Sequence, residues 1–234
     1  MYLIGIDETA RCPALGPLYC LGIACDSRTV DALAKKLVLK DSKLTTPAQR
    51  KAVFDYVMKH HKSFKWELVK LEPFLIDLAL SKRIRFGDYK LNLNDLEAIA
   101  FADIIVKLRK RIGKAEIAVY INNFEKTPEQ LINRWKRLEQ YDKIKGIEIH
   151  LTHSYNNIIS LASMFCKHIE DMETQMWKFV TGFDFGSKNP NDKRVWEFVK
   201  RFPNSQLIRR NWGKNVPRIL KQVKDRGGGR NEDY

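Results

Sequence analysis

Long apolar runs are missing from this chain. No stretch approaches the ~18 residues that a membrane-spanning helix requires, so a membrane protein is not expected. The opening Met1-to-Asp7 stretch is short and apolar with no basic lead, and a secretory signal is not expected either. Cysteine is scarce. Cys12, Cys20, Cys25 and Cys166 contain no Cys-x-x-Cys pair and no zinc spacing, which argues against a disulfide framework and for small core residues in an intracellular chain. Cytoplasm, nucleoid or nucleus is the expected compartment. Repeats of about 20–50 residues are absent, which excludes a solenoid. Low complexity is confined to the Arg226–Arg230 segment.

Acidic residues are also in short supply. Asp plus Glu number 28 against 42 for Lys plus Arg, a net charge of +14 over 234 residues. A chain this basic is expected to work against a polyanion, nucleic acid first among them. A protein that carries many lysines for solubility alone is the bland alternative. With 44% hydrophobic and 11% aromatic residues, the chain can bury a proper core as one large domain or two small ones.

Apolar runs and alternation predict strands over 2–7, 18–25, 64–71, 115–121 and 146–151, the first two as an antiparallel hairpin. Helical spacing predicts helices over 30–39, 47–59, 94–111, 128–138, 157–180, 191–201 and 216–224. Pro47 fits the first turn of its helix, and Asn94 is a plausible N-cap. The expected organisation is a mixed α/β sheet domain over residues 1–175, a helical C-terminal cap over 176–224 and a mobile tail over 225–234.

The densest polar feature is Asp7-Glu8, directly after an apolar strand. Carboxylates at a strand end sit where side chains of several strands converge, a setting for hard divalent cations with oxygen ligands. An acidic turn residue is the ordinary alternative. The segment from Gly5 through Asp7-Glu8, Arg11, Pro13, Gly16 and Pro17 resembles the opening signature of type 2 ribonuclease H, ribonuclease HII. Asp41-Ser42-Lys43, the Leu93-to-Ala102 segment, Ser160 through Asp171, Asp184-Phe-Gly-Ser187, Pro190 to Asp192 and Ile208-Arg209-Arg210-Asn-Trp212 resemble the family's later motifs, in order, from about residue 3 to 215.

The resemblance implies a ribonuclease H-like α/β fold, a mixed five-stranded sheet flanked by helices, and a site of four carboxylates holding two divalent metals that cleave RNA in RNA–DNA hybrids. Carried over by position, the ligands are Asp7, Glu8, Asn122 and His153, two acids and two replacements. Mg²⁺ binds an amide oxygen weakly and disfavours imidazole. A Mn²⁺ or Zn²⁺ site on Asp7, Asn122 and His153 is an alternative, and His153 as a plain polar residue another. A displaced Glu125 or Glu148 could also supply oxygen.

The family's Gly-Arg-Gly turn, which reads a ribose hydroxyl, falls on Ala10-Arg11-Cys12, where positive φ and close approach are hindered. Its junction-stacking tyrosine falls on Asn189. The phosphate side keeps Arg11, Ser42, Lys43, Ser160, Lys167, Arg209 and Arg210. Trp135 and Trp212 lie among basic clusters and could stack on bases or be buried.

The expected function is therefore binding of duplex or RNA–DNA hybrid, with catalysis lost or strongly impaired. A divalent metal (Mg²⁺ or Mn²⁺) is expected if the protein is active, and none otherwise. The rivals are an active endoribonuclease with a rearranged or Mn²⁺-type site, and a scaffold subunit that binds a protein partner.

Overall fold

The computed structural model describes residues 1–122, 124–152 and 156–225. His153, and all of the expected tail except Asp225, lie outside the described residues. The first half runs β1 (Tyr2–Thr9), β2 (Leu18–Asp26), α1 (Ser27–Lys36), α2 (Pro47–Lys59), β3 (Lys65–Leu71), α3 (Pro73–Leu80), β4 (Arg85–Phe86), β5 (Tyr89–Lys90) and α4 (Leu93–Ile112). The second runs β6 (Ile117–Asn122), α5 (Pro128–Arg137), α6 (Tyr141–Ile144), β7 (Glu148–Thr152), α7 (Asn157–Thr181), α8 (Lys193–Arg201) and α9 (Asn215–Asp225). No helix among the described residues is long and apolar enough to cross a membrane.

The chain folds as two compact units of interleaved segments. The first comprises residues 1–9, 19–69 and 97–170; the second comprises 10–18, 70–96 and the chain from Asp171 onward. The first holds the expected mixed sheet, in the order β3-β2-β1-β6-β7. β1 pairs antiparallel with β2 from Tyr2↔Asp26 to Thr9↔Tyr19, which is the expected hairpin. β1 and β6 are parallel, as are β6 and β7. Ile4, Ile6, Leu21, Ile23, Val119 and Ile121 are fully buried, as near-continuous apolar strands require when helices cover both faces.

Two glycines show how closely the helices approach. A Cβ on Gly22 would stand 2.3 Å from the Ile104 side chain of α4, and one on Gly5 would stand 2.2 Å from the Ile158 carbonyl oxygen at the start of α7. The two helices thus lie on the sheet where it has no side chain. α2 begins as expected, with Pro47 in its first turn and a Thr46–Gln49 capping box. The cap of α4 differs. The helix starts at Leu93, and the side chain of Asn92, not Asn94, accepts the Asp95 N–H at 3.1 Å while Asp95 accepts the Asn92 N–H at 2.9 Å.

The second unit has its own core. Val195, Phe198 and Val199 of α8 and Val216 and Ile219 of α9 pack with Ala14, Leu15, Phe185, Leu207 and Ile208. The helical C-terminal region is present. Cys20, Cys25 and Cys166 are buried, as expected, whereas Cys12 is exposed. Burial beside Asp26 and Asp31 pushes the Cys25 thiol up to about 12. Trp135 is buried with its indole N–H on the Ala98 carbonyl at 2.7 Å, so it offers no surface for stacking on a base.

Gly5→Ala would force the α7 start away from β1. The expected loss is about 2–3 kcal/mol or more, measured by urea unfolding, because the clash is with backbone and no rotamer can relieve it.

Candidate nucleic-acid site at the ends of three strands

The parallel register builds this site. Ile6 pairs with Ile121, and Asn122 pairs with Thr152, so Asp7, Asn122 and Thr152 come level where β6 and β7 end and the pairing of β1 with β6 stops. Open α/β sheets bind ligands beyond the carboxyl ends of their strands, and this end is the one that carries the polar side chains. Asn156 opens α7 beside it, its side-chain oxygen accepting the Ile158 N–H at 2.9 Å in N-cap fashion. A cleft of about 410 Å³ results, lined by Asp7, Asp41, Asn122, Asn156, Ser160 and Ser163 among others.

Asp7 is only 5% exposed. The Asn122 amide donates from Nδ2 to its Oδ1 at 3.1 Å, and the Ser163 hydroxyl hydrogen-bonds the same carboxyl. In this arrangement the Asn122 amide presents its nitrogen, a donor, to the carboxyl. Burial holds the Asp7 carboxyl above its ordinary range. The hydrogen bonds from Ser163, Asn122 and the Glu8 backbone oppose that shift, and the nearby Asp41 charge adds to it. Glu8 follows on β1, in register with Cys20.

Ser42–Leu44 form a single 3₁₀ turn tied to the same cluster. The Ser42 and Ser163 hydroxyls share a hydrogen bond of 3.0 Å, and the Ser42 N–H donates to Ser163 Oγ at 3.3 Å. Asp41 caps the turn by accepting the Lys43 N–H at 2.9 Å. Buried Arg50 holds it from behind, donating to the Thr45 carbonyl at 2.6 Å and the Ser42 carbonyl at 3.3 Å. Lys43 is exposed, and Lys167 forms an ion pair with buried Glu170.

The structure thus brings Asp7, Asn122, Ser42 and Ser160 together in the first unit. Glu125 and Glu148 do not join them: Glu125 pairs with Arg134, and exposed Glu148 pairs with His150. Sequence reasoning missed Asp41, Asn156 and Arg50 as parts of this site. Asn156 carried a signal, an Asn just ahead of a long apolar helix. Arg50 carried none, because a buried arginine looks like any other cation in sequence.

Of the basic residues of the second unit, Arg209 is not placed as a surface-binding residue would be. Arg209 is fully buried and directs its guanidinium at backbone carbonyls, so it does not present a surface charge. Arg210 donates from its backbone N–H to Asp77 at 2.7 Å and from Nη2 to the Pro203 carbonyl at 2.9 Å. Arg11 is half-buried and donates to Asn94 Oδ1 at 2.6 Å, which is the role Asn94 takes instead of capping. Trp212 lies under Arg209, with Cζ 5.0 Å from the ring centroid. Asn189 is exposed, and its side chain accepts the Asn191 N–H at 2.9 Å. Ala10 adopts φ +60 despite its Cβ, so the turn keeps a left-handed residue where the resemblance placed a glycine.

The donors can be weighed against a pair of divalent cations. Among the described residues, no group of three or more His, Cys, Asp and Glu side chains stands together as a metal ligand set. At the strand ends, the amide that lies level with Asp7 offers that carboxyl a nitrogen. Among the described residues, the carboxylates that line this cleft are Asp7 and Asp41, beside the neutral Asn122 amide.

Two outcomes follow from this geometry. Because the folded Asp7 carboxyl lies above its unfolded value, its contribution to stability is full at low pH and is lost as pH rises through the folded value. Asp7→Asn should therefore raise Tm relative to wild type near pH 7, with the gap closing toward about pH 4 in thermal melts. Ala10→Gly should stabilise the chain by about 0.5–1 kcal/mol in urea unfolding, since relief of left-handed strain outweighs the extra freedom of glycine in the unfolded chain.

Comparison with known proteins agrees with this architecture. The model of the family described as Ribonuclease HII matches residues 4–215. The Ribonuclease HII of Nanoarchaeum equitans is 31% identical over 214 residues, covering 89% of this chain and 92% of the relative. Ribonuclease H2 from Pyrococcus horikoshii shares the fold, with a TM-score of 0.74 at 24% identity over 96% of this chain and 99% of that one. So does Bst-RNase HIII in its complex with Mn²⁺, with a TM-score of 0.73 at 16% identity over 96% and 71%.

Proposed function

Since the chain belongs to the ribonuclease HII family, we propose that it binds duplex nucleic acid, RNA–DNA hybrids included, with the family's metal-dependent endoribonuclease activity lost or strongly impaired. The observation that carries this reading is the Asn122 amide donating to Asp7 at 3.1 Å. A hydrogen-bond donor there takes one of the carboxylate's acceptor sites, and it brings no negative charge of its own. Each missing charge–charge contact weakens cation binding by on the order of several kcal/mol, before the cost of desolvation is subtracted.

Binding asks less of a site than catalysis does. Phosphate contacts need positive charge and reach rather than exact placement. The exposed Lys43 on its pinned turn and the half-buried Arg11, within a chain of net charge +14, meet that need. Asp7 and the serines of the cleft then serve as polar lining, with Ser163 tying the Ser42 turn to the strand end.

A second reading keeps the enzyme active through a rearranged site. It is favoured by one observation: Asp41 lines the same cleft and its charge is felt at Asp7, so a second carboxylate stands near the strand ends.

One experiment separates the two. The protein is incubated with a labelled RNA–DNA hybrid, and with a DNA duplex carrying a single ribonucleotide, in Mg²⁺ and in Mn²⁺. The expected result is no cleavage, together with hybrid binding that weakens at least about tenfold between roughly 50 and 200 mM salt. Cleavage that disappears in Asp7→Asn establishes the second reading instead. Asn122→Asp should raise affinity for Mn²⁺, measured by calorimetry.

A further inference from the structure

Arg209 presents a puzzle of placement. Its charge cannot be shed, yet the residue has no exposed surface. Burying a guanidinium is unfavourable unless its donors are satisfied in good geometry. Three of its five donors go to a single loop: Nε donates to the Gly16 carbonyl at 2.8 Å, Nη1 to the Arg11 carbonyl at 2.9 Å and Nη2 to the Ala10 carbonyl at 2.6 Å.

The surrounding backbone reinforces the same loop. The Arg209 N–H donates to the Ala14 carbonyl at 3.0 Å, and the Gly16 N–H donates to the Leu207 carbonyl at 2.7 Å. Leu15 and Ile208 form an isolated antiparallel bridge between these contacts. The loop carries a residue that resists its own conformation, Ala10 at φ +60. Its neighbour Arg11 donates from its side chain to Asn94 Oδ1 at 2.6 Å.

We propose that Arg209 is a positioning residue. It clamps three carbonyls of the Ala10–Gly16 loop, holds Ala10 left-handed and so fixes the direction in which Arg11 is presented. That Arg11 then meets a nucleic-acid phosphate rests on the function proposed above. A lysine at 209 would keep the charge but lose the planar fork, since one ammonium cannot span three carbonyls as a guanidinium does. Charge and clamp can therefore be told apart.

The test uses the full chain with Arg209→Lys, Arg11→Ala, their combination, and Arg209→Lys with Ala10→Gly. Two readouts are taken: amide hydrogen exchange without nucleic acid, and binding to a labelled RNA–DNA hybrid. Arg209→Lys is expected to speed exchange across residues 10–17 while β1 and β6 keep their protection. It should weaken hybrid binding about tenfold, as Arg11→Ala does, with the combination no weaker than either. Adding Ala10→Gly should recover most of the loss.

Unchanged exchange over 10–17, or faster exchange spread evenly over the whole chain, overturns the proposal. So does full hybrid affinity in Arg209→Lys when Arg11→Ala has lost it. If Arg209→Lys does not fold, recovery of a folded chain by Ala10→Gly supports the clamp and failure to recover overturns it. If the wild-type chain binds no nucleic acid, the proposed function falls, and the clamp is decided by the exchange readout.

Discussion

The shared register of β1, β6 and β7 is the constraint from which the site follows. Parallel strands end together only if their ladders are in step, and Ile6↔Ile121 followed by Asn122↔Thr152 sets that step. A slip of one residue would turn Asp7 to the other face of the sheet and send apolar side chains to the cleft. The register is in turn held by packing: Gly5 admits the start of α7 against β1, and Gly22 admits α4 against β2. Backbone contact at two glycines thereby decides where a carboxyl stands relative to an amide.

Within that frame the site is a chain of small polar groups. Asn122 and Ser163 both engage Asp7, Ser163 engages Ser42, and Arg50 holds the Ser42–Thr45 carbonyls from the protein side. Each link is short-range and uncharged except at the ends. Such a chain holds a loop well.

Much of the fold was legible in the sequence. Tyr2–Thr9, Leu18–Asp26 and Ile117–Asn122 are apolar runs too short for buried helices, and Pro47 after Thr46 marks a helix start by two independent signals. The elements that escaped share a physical reason. α3 is apolar around almost its whole circumference and shows no period, while β4 and β5 are two residues each. Asp7 was legible through its position after an apolar strand, and Asn122 through the family resemblance alone. Arg209 was not, because a guanidinium that ties down carbonyls and one that faces solvent are the same letter. Asn92 and Asn94 likewise differ only in which of them the helix happens to use. Ala10 teaches the converse: the residue type argued against a left-handed turn that tertiary contacts impose.

The Asn122 side chain matches a carboxylate in shape, one NH₂ standing where an oxygen would. A pocket altered in this way keeps its walls and volume while its potential changes sign at one point. Molecules sorted by size would pass between the two versions without noticing, and only charge would tell them apart.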